Sequence, residues 1–264
     1  MSTHYLSKEE RMAKTLARIQ KRLLVKEEKL RKIDELLMNI EEYEEKQTMD
    51  NDDLYYNLSD FVLNYNDVGC PIIEDNCDRI NIYELKKIIG RGAYGTVKIL
   101  CFNNNCNYVL KIQNNDEFFR DEVHSLFELK HTNCVPKIFD AWTCGDKGYL
   151  VIELLSTEIN LNFKSFAKQL YKCVNTLHNN GWSHNDLKKN NLLFNIRTGK
   201  LIISDLGNAV KKTDDSTKIY DKLNTHSEDV TWHMSVEQDI IKMKELLVAT
   251  LAEEEKAKAA VATF

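Results

Sequence analysis

The sequence predicts an α+β fold preceded by one long N-terminal helix. Three observations carry this expectation. Residues 7–48 contain no glycine or proline and repeat apolar residues every three or four positions. From Tyr83 onward come short apolar runs with the look of strands: YELKKIIG, GTVKILCF, YVLKIQ and YLVIELL. A helical period returns at 163–180 and again over roughly 235–260, so strands and helices are segregated rather than alternating one for one.

Composition narrows the class. Among 264 residues there are only 9 Gly and 2 Pro, which excludes collagen-like and linker-rich chains and disfavours an all-β protein built on tight turns. With 43% hydrophobic residues there is material for a core. A net charge of −5 offers no general attraction to nucleic acid or to an anionic membrane, so neither is expected as a partner. No apolar run is long enough to span a bilayer, and Met1 to Glu10 lacks the apolar core of a secretory signal. An intracellular, cytoplasmic protein is expected. The seven cysteines are odd in number, and in a reducing compartment they read as free or buried thiols. Cys101 and Cys106 could open a zinc site, but no second ligand pair follows at suitable spacing.

Residues 1–48 form the first region. Leu16, Leu23, Leu30 and Leu37 occupy one heptad position, and Ile19, Ile33 and Ile40 the other, with Lys26 as the single charged intruder. That is the pattern of a coiled coil, and it predicts self-association through residues 8–44. A helix folding back on its own chain is the competing reading. Arg22 with Glu27, and Lys29 with Asp34, are spaced for a parallel pair. The charge is polarised, however: residues 8–32 carry 10 basic and 4 acidic side chains, and residues 33–54 carry 1 and 9, which suits an antiparallel one. Residues 49–82 are acidic and rich in Asn, Asp and Tyr, and read as a linker that can dock through Tyr55, Tyr56, Phe61 and Tyr65.

The rare glycines cluster at Ile89-Gly90-Arg91-Gly92-Ala93-Tyr94-Gly95-Thr96-Val97. A dinucleotide site needs a helix after such a loop, because the helix N-terminus holds the pyrophosphate. Here the β-branched run TVKILCF follows instead. Strand, glycine loop and strand make a hairpin that can lie over a triphosphate, with glycine where a Cβ would block the backbone from the phosphate oxygens. Val97 would face the adenine. Lys111 then sits inside an apolar strand. It is either an edge residue turned to water or a cation for phosphates braced by a carboxylate, with Glu122 as candidate and Asp121 as the adjacent alternative.

Residues 184–194 read His-Asn-Asp-Leu-Lys-Lys-Asn-Asn-Leu-Leu-Phe. Phosphoryl transfer needs a carboxylate to orient a hydroxyl and accept its proton, a cation beside the γ-phosphate, and an amide oxygen for a metal ion. Asp186, Lys188 and Asn191 supply those three types. Beyond them the strand Leu201-Ile202-Ile203 delivers Ser204-Asp205-Leu206-Gly207, an aspartate placed to ligate Mg2+. Each piece alone is common, but their joint order is not.

Together these residues make the segment 83–210 resemble the eukaryotic-type protein kinase domain. The resemblance implies a two-lobed kinase-like fold, with a small lobe at 83–155 and a large lobe at 156–264. In that family Ile89, Gly90, Gly92, Gly95 and Val97 correspond to the glycine-rich loop, and Lys111 and Glu122 to the strand lysine and its helix partner. Ile152-Glu153-Leu154-Leu155 corresponds to the gatekeeper and the adenine-binding hinge, with Glu153 and Leu155 as hinge residues, and Leu193 to the floor under adenine. Asp186 and Lys188 would be catalytic, Asn191 and Asp205 metal ligands, and His184 structural. ATP and Mg2+ are the implied cofactors, and a protein Ser or Thr hydroxyl the acceptor.

The chain also departs from that pattern. Asn185 stands where the family has the arginine that pairs with a phosphorylated activation segment, so activation without such phosphorylation is expected. Leu206 replaces the usual phenylalanine. No Ala-Pro-Glu follows, and segment 211–231 is polar, with Ser and Thr as phosphorylation candidates. The helix at 235–251 resembles the central large-lobe helix, with Asp239 as the buttress of the catalytic loop. The helices that usually follow it are missing, so an abbreviated large lobe is expected. This short, Asn-rich form is reminiscent of kinases of large DNA viruses, for which host cytoplasm or virion would be the location. A pseudokinase that binds another kinase or a scaffold, and a small-molecule phosphotransferase, are the competing functions; Lys188 argues against the last.

Overall fold

A computed structural model describes residues 8–44, 72–92, 95–223 and 231–261. The docking aromatics Tyr55, Tyr56, Phe61 and Tyr65 and the loop residues Ala93 and Tyr94 lie outside the described residues. The chain forms two compact units, one of Met1–Met49 with Lys244–Phe264, the other of Asp50–Met243. No described helix is long and apolar enough to cross a membrane.

In the first unit, α1 (Lys8–Glu44) is the long helix expected from the heptads. Its apolar stripe divides into two halves. Ile33, Leu37 and Ile40 are buried, whereas Leu16, Ile19 and Leu23 remain exposed. Lys29 Nζ lies 2.7 Å from Glu255, and Asp34 lies 2.6 Å from Lys244 Nζ, so both charges are taken by α5 (Trp232–Val261). The ion-pair order, 29 with 255 and 34 with 244, runs antiparallel. The second half of α1 therefore folds back on its own chain, and Lys29 and Asp34 are not left for a parallel copy.

The second unit is built on a six-stranded sheet in the order β1-β5-β6-β4-β3-β2. Its strands are β1 (Glu74–Asp75), β2 (Glu84–Gly92), β3 (Gly95–Phe102), β4 (Asn105–Asn114), β5 (Ile138–Cys144) and β6 (Lys147–Glu153). All neighbours are antiparallel except β1 with β5. One face buries Leu100, Leu110, Tyr108, Phe139, Trp142 and Val151 together. Trp142 stacks on Tyr149 at 5.1 Å and on Tyr83 at 5.7 Å.

Across the sheet lies α2 (Glu117–Glu128), capped by Asp116, which accepts from the Phe119 N–H at 3.1 Å. Phe119, Val123, Leu126 and Phe127 form its buried stripe. A Cβ at Gly148 would come within 2.6 Å of the Phe119 ring, so this β6 glycine makes the room into which α2 packs. Strand β5 carries no clean sequence signal, because Asp140 interrupts its apolar run. That carboxylate is 2% exposed and accepts from Arg79 at 2.8 Å and from the Tyr83 hydroxyl at 2.5 Å. The end of the sequence-predicted linker thus supplies β1 and a 3-10 turn, Cys77–Ile82, that seal β5.

Beyond β6 come α3 (Phe163–Asn179), β7 (Trp182–Ser183), the hairpin β8 (Leu192–Asn195) with β9 (Lys200–Ile203), β10 (Val210–Lys211) and α4 (Ser216–Leu223). Asn162 caps α3 by accepting from the Ser165 N–H at 2.9 Å. The thiol expectation holds for Cys134 and Cys173, which are buried and not disulfide-bonded. It fails for four others: Cys77 is bonded to Cys144 and Cys101 to Cys106, with Cα separations of 4.8 and 4.0 Å. The second pair closes the β3–β4 hairpin, so those two cysteines bond each other rather than open a zinc site.

Candidate active site

Lys111 lies on β4, an interior strand, and does not point to water from an edge. Its Nζ is 2.8 Å from both oxygens of Glu122 and 2.8 Å from Asp205 Oδ1. Burial works against the Lys111 ammonium, but the Glu122 and Asp205 carboxylates outweigh it and hold its pKa above the ordinary lysine range. Burial likewise pushes Asp205 up, and Lys111 overrides it, leaving the Asp205 pKa below the usual carboxylate value. Gln113 donates to Glu122 Oε2 at 2.8 Å. Sequence reasoning passed over this residue, yet the strand period of two puts Gln113 on the same face as Lys111. Asp121, the alternative partner, pairs elsewhere, with Lys218 and Lys222.

The run 184–194 is held by one buried carboxylate. Asp239, 1% exposed, accepts from the backbone N–H of His184 at 2.6 Å and of Asn185 at 2.8 Å, and from His178 Nε2 at 3.0 Å. His184 Nε2 donates to the Ser204 carbonyl at 2.9 Å while its Nδ1 accepts from the Asp186 N–H at 3.1 Å. The histidine thus ties the loop of Asp186 to the strand end of Asp205. Asn185 has φ 61°, a left-handed backbone that asparagine tolerates better than most side chains.

Lys188 Nζ is 2.5 Å from Asp186 Oδ2. The Asn191 amide donates to the Asp186 carbonyl at 2.9 Å and to its Oδ2 at 3.1 Å. With its NH2 engaged in this way, Asn191 Oδ1 is the atom left to act as an oxygen ligand. The Asn191 backbone carbonyl accepts from the Ser204 N–H at 2.8 Å, and this bond sets Asn191 beside Asp205 across the β8–β9 hairpin. Asp205 itself has φ 66° at the end of β9. Two oxygen donors on adjoining strand ends, beside a lysine, fit a hard cation carrying phosphates.

The glycine loop is the β2–β3 hairpin. Gly95 has φ 147°, and a Cβ there would lie 2.0 Å from the Ile112 carbonyl, so the sheet itself demands glycine. Among the described residues, a Cβ at Gly92 would meet nothing within 4 Å, and one at Gly90 only Val97 at 3.6 Å. The fold leaves that space unfilled, as a loop that approaches a phosphate requires. Val97 pairs with Lys111 across β3 and β4. Ile89 is exposed and Leu193 half-buried.

At the junction after β6, Leu154 donates its N–H to Asn107 at 2.8 Å and Ser156 to Phe194 at 2.9 Å. Leu155, between them, makes no such backbone bond among the described residues. Glu153 is the last residue of β6. The carboxylate is buried, accepting from the Lys137 N–H at 2.9 Å and the Asn195 amide at 3.0 Å. It braces the junction from inside.

Residues 83–237, more than half of the chain, match the family model described as protein kinase domain. The chain is 27% identical over 156 residues to calcium/calmodulin-dependent protein kinase type 1 of Caenorhabditis elegans, covering 51% of this chain and 44% of that protein. It is 29% identical over 149 residues to cyclin-dependent kinase 7 of Dictyostelium discoideum, covering 47% and 41%. Against human Rho-associated protein kinase 1 the identity is 24% over 174 residues, covering 59% and 13%. The chain thus spans less than half the length of these relatives.

Proposed function

Because this chain belongs to the protein kinase family, we propose that it is an active Ser/Thr kinase, transferring the γ-phosphate of ATP to a protein hydroxyl. The observation that carries the reading is the Lys111 ammonium held 2.8 Å from both Glu122 and Asp205, which joins the strand cation, α2 and the strand-end carboxylate at one point. Lys111 would orient the α- and β-phosphates. Asp186 would orient the acceptor hydroxyl and take its proton, and Lys188 would face the transferred group. Asn191 Oδ1 and Asp205 would hold Mg2+, which when bound neutralises phosphate charge. The hairpin at Gly90 and Gly92 would cover the nucleotide, with Val97 and Leu193 against adenine and the Leu155 backbone at its edge.

The test is γ-phosphate transfer from labelled ATP with Mg2+ to the chain itself or to a generic protein substrate. Wild type transfers; Asp186→Asn and Lys111→Met do not. No transfer together with no nucleotide-induced thermal shift would leave the binding-module reading in its place. Self-association belongs to the same proposal in a narrower form, through the exposed half of α1 at Leu16, Ile19 and Leu23.

A further inference from the structure

Segment 211–231 reads in sequence only as polar, yet its described part folds into α4 against α2. Lys218 and Lys222 are four residues apart, so they share a helix face. Lys218 Nζ lies 2.8 Å from Asp121 Oδ1, and Lys222 Nζ bonds Asp121 Oδ2. Lys222 also donates to the carbonyl of Gly207 at 3.0 Å and of Ala209 at 2.8 Å. All three ammonium protons are thereby used. The Lys222 side chain is 4% exposed and that of Asp121 8%. A lysine this deep persists only when paired and fully hydrogen-bonded.

The partners matter by their place. Asp121 precedes Glu122, which holds Lys111 from one side. Gly207 and Ala209 belong to the turn that starts at Asp205, which holds it from the other. A second bracket lies at the far end of α2. Glu128 accepts from Trp182 Nε1 at 2.9 Å and from Lys211 Nζ at 2.5 Å. Acidic side chains at both ends of α2 thus meet lysines of the segment that follows the Asp205 turn.

We infer that Lys218 and Lys222 are positioning residues: through Asp121 and the Gly207 and Ala209 carbonyls they hold α2 and the Asp205 turn so that Glu122 and Asp205 converge on Lys111 with no phosphate on the segment. The catalytic consequence rests on the kinase reading; the latch itself does not. Lys222→Met, Asp121→Asn and the double variant are compared with unphosphorylated wild type by amide hydrogen exchange and by phosphate transfer. Each single variant is expected to speed exchange at 206–209 and 216–223 by about tenfold or more, with β3 to β6 unchanged. Transfer kcat should fall by about tenfold while ATP affinity without Mg2+ holds. The double variant should fall by less than the two single losses combined, since both variants remove the same Lys222–Asp121 contact. Unchanged exchange in those segments, additive losses, or a kcat that drops only with the folded fraction overturns the inference. If wild type transfers nothing, the kinase reading fails and the exchange result decides the latch alone.

Discussion

The carboxylate of Asp239 takes the backbone N–H of His184 at 2.6 Å, across 55 residues of chain. The same carboxylate holds Asn185, so one buried side chain sets the geometry of the run that carries Asp186. Asp239→Ala leaves the buried His184 N–H, the half-buried Asn185 N–H and the His178 ring N–H without this acceptor. Stability should fall by about 2–4 kcal/mol in urea unfolding, and the folded fraction should still lose transfer activity, because Asp186 is no longer held.

Gly92 and Gly95 are predicted to separate function from stability. Gly95→Ala drives a Cβ to 2.0 Å from the Ile112 carbonyl and should lower the melting temperature substantially. Gly92→Ala meets no described residue in the fold, so its unfolding free energy should stay within about 0.5 kcal/mol of wild type. Nucleotide affinity by calorimetry should fall in Gly92→Ala. A destabilised Gly92→Ala with normal affinity would remove the phosphate-covering role of this loop.

Stability should depend on pH at both ends. Asp205 and Glu128 have lowered pKa values in the fold, where Lys111 and Lys211 outweigh burial. Their contribution is complete above the unfolded carboxylate pKa of about 4 and is lost as pH falls through the lower folded values. Lys111 is raised, so its contribution is complete below about pH 10 and is lost as pH climbs through the folded value. Melting curves from pH 3 to 6 should fall toward acid in wild type and less steeply in Asp205→Asn.

The exposed half of α1 should govern any self-association. Residues 8–32 carry 10 basic and 4 acidic side chains, so copies meeting there repel at low ionic strength. Mass measurement by light scattering should show association that strengthens with salt and disappears in Leu16→Asp with Leu23→Asp. An unchanged mass in that variant would place the contact elsewhere.

Much of the candidate site was legible because each motif spans only a few residues of chain. A strand, three spaced glycines and a second strand announce a covering hairpin. Lys111 in an apolar strand announces an anion. Asp186, Lys188 and Asn191 sit within six residues of one another. The helix of residues 8–44 follows from its apolar period alone. What was not legible depends on pairs distant in the chain. Lys111 and Asp205 are 94 residues apart, and Lys222 and Asp121 are 101 apart. Asp121 and Glu122 are adjacent carboxylates of equal charge, and only the rotation of α2 on the sheet sends one to Lys111 and the other to Lys222.

The sequence by itself therefore determined the element types and the chemistry they present, since period, β-branching and glycine placement act over a few residues. The tertiary structure decided the partners. It turned the second half of α1 onto α5, gave the Glu153 carboxylate to the Lys137 N–H and the Asn195 amide, made two disulfides of four expected thiols, and folded a polar segment onto α2. Pairing is a matter of distance in three dimensions, and a charge or a thiol carries no local signal for which of several equivalent partners will reach it.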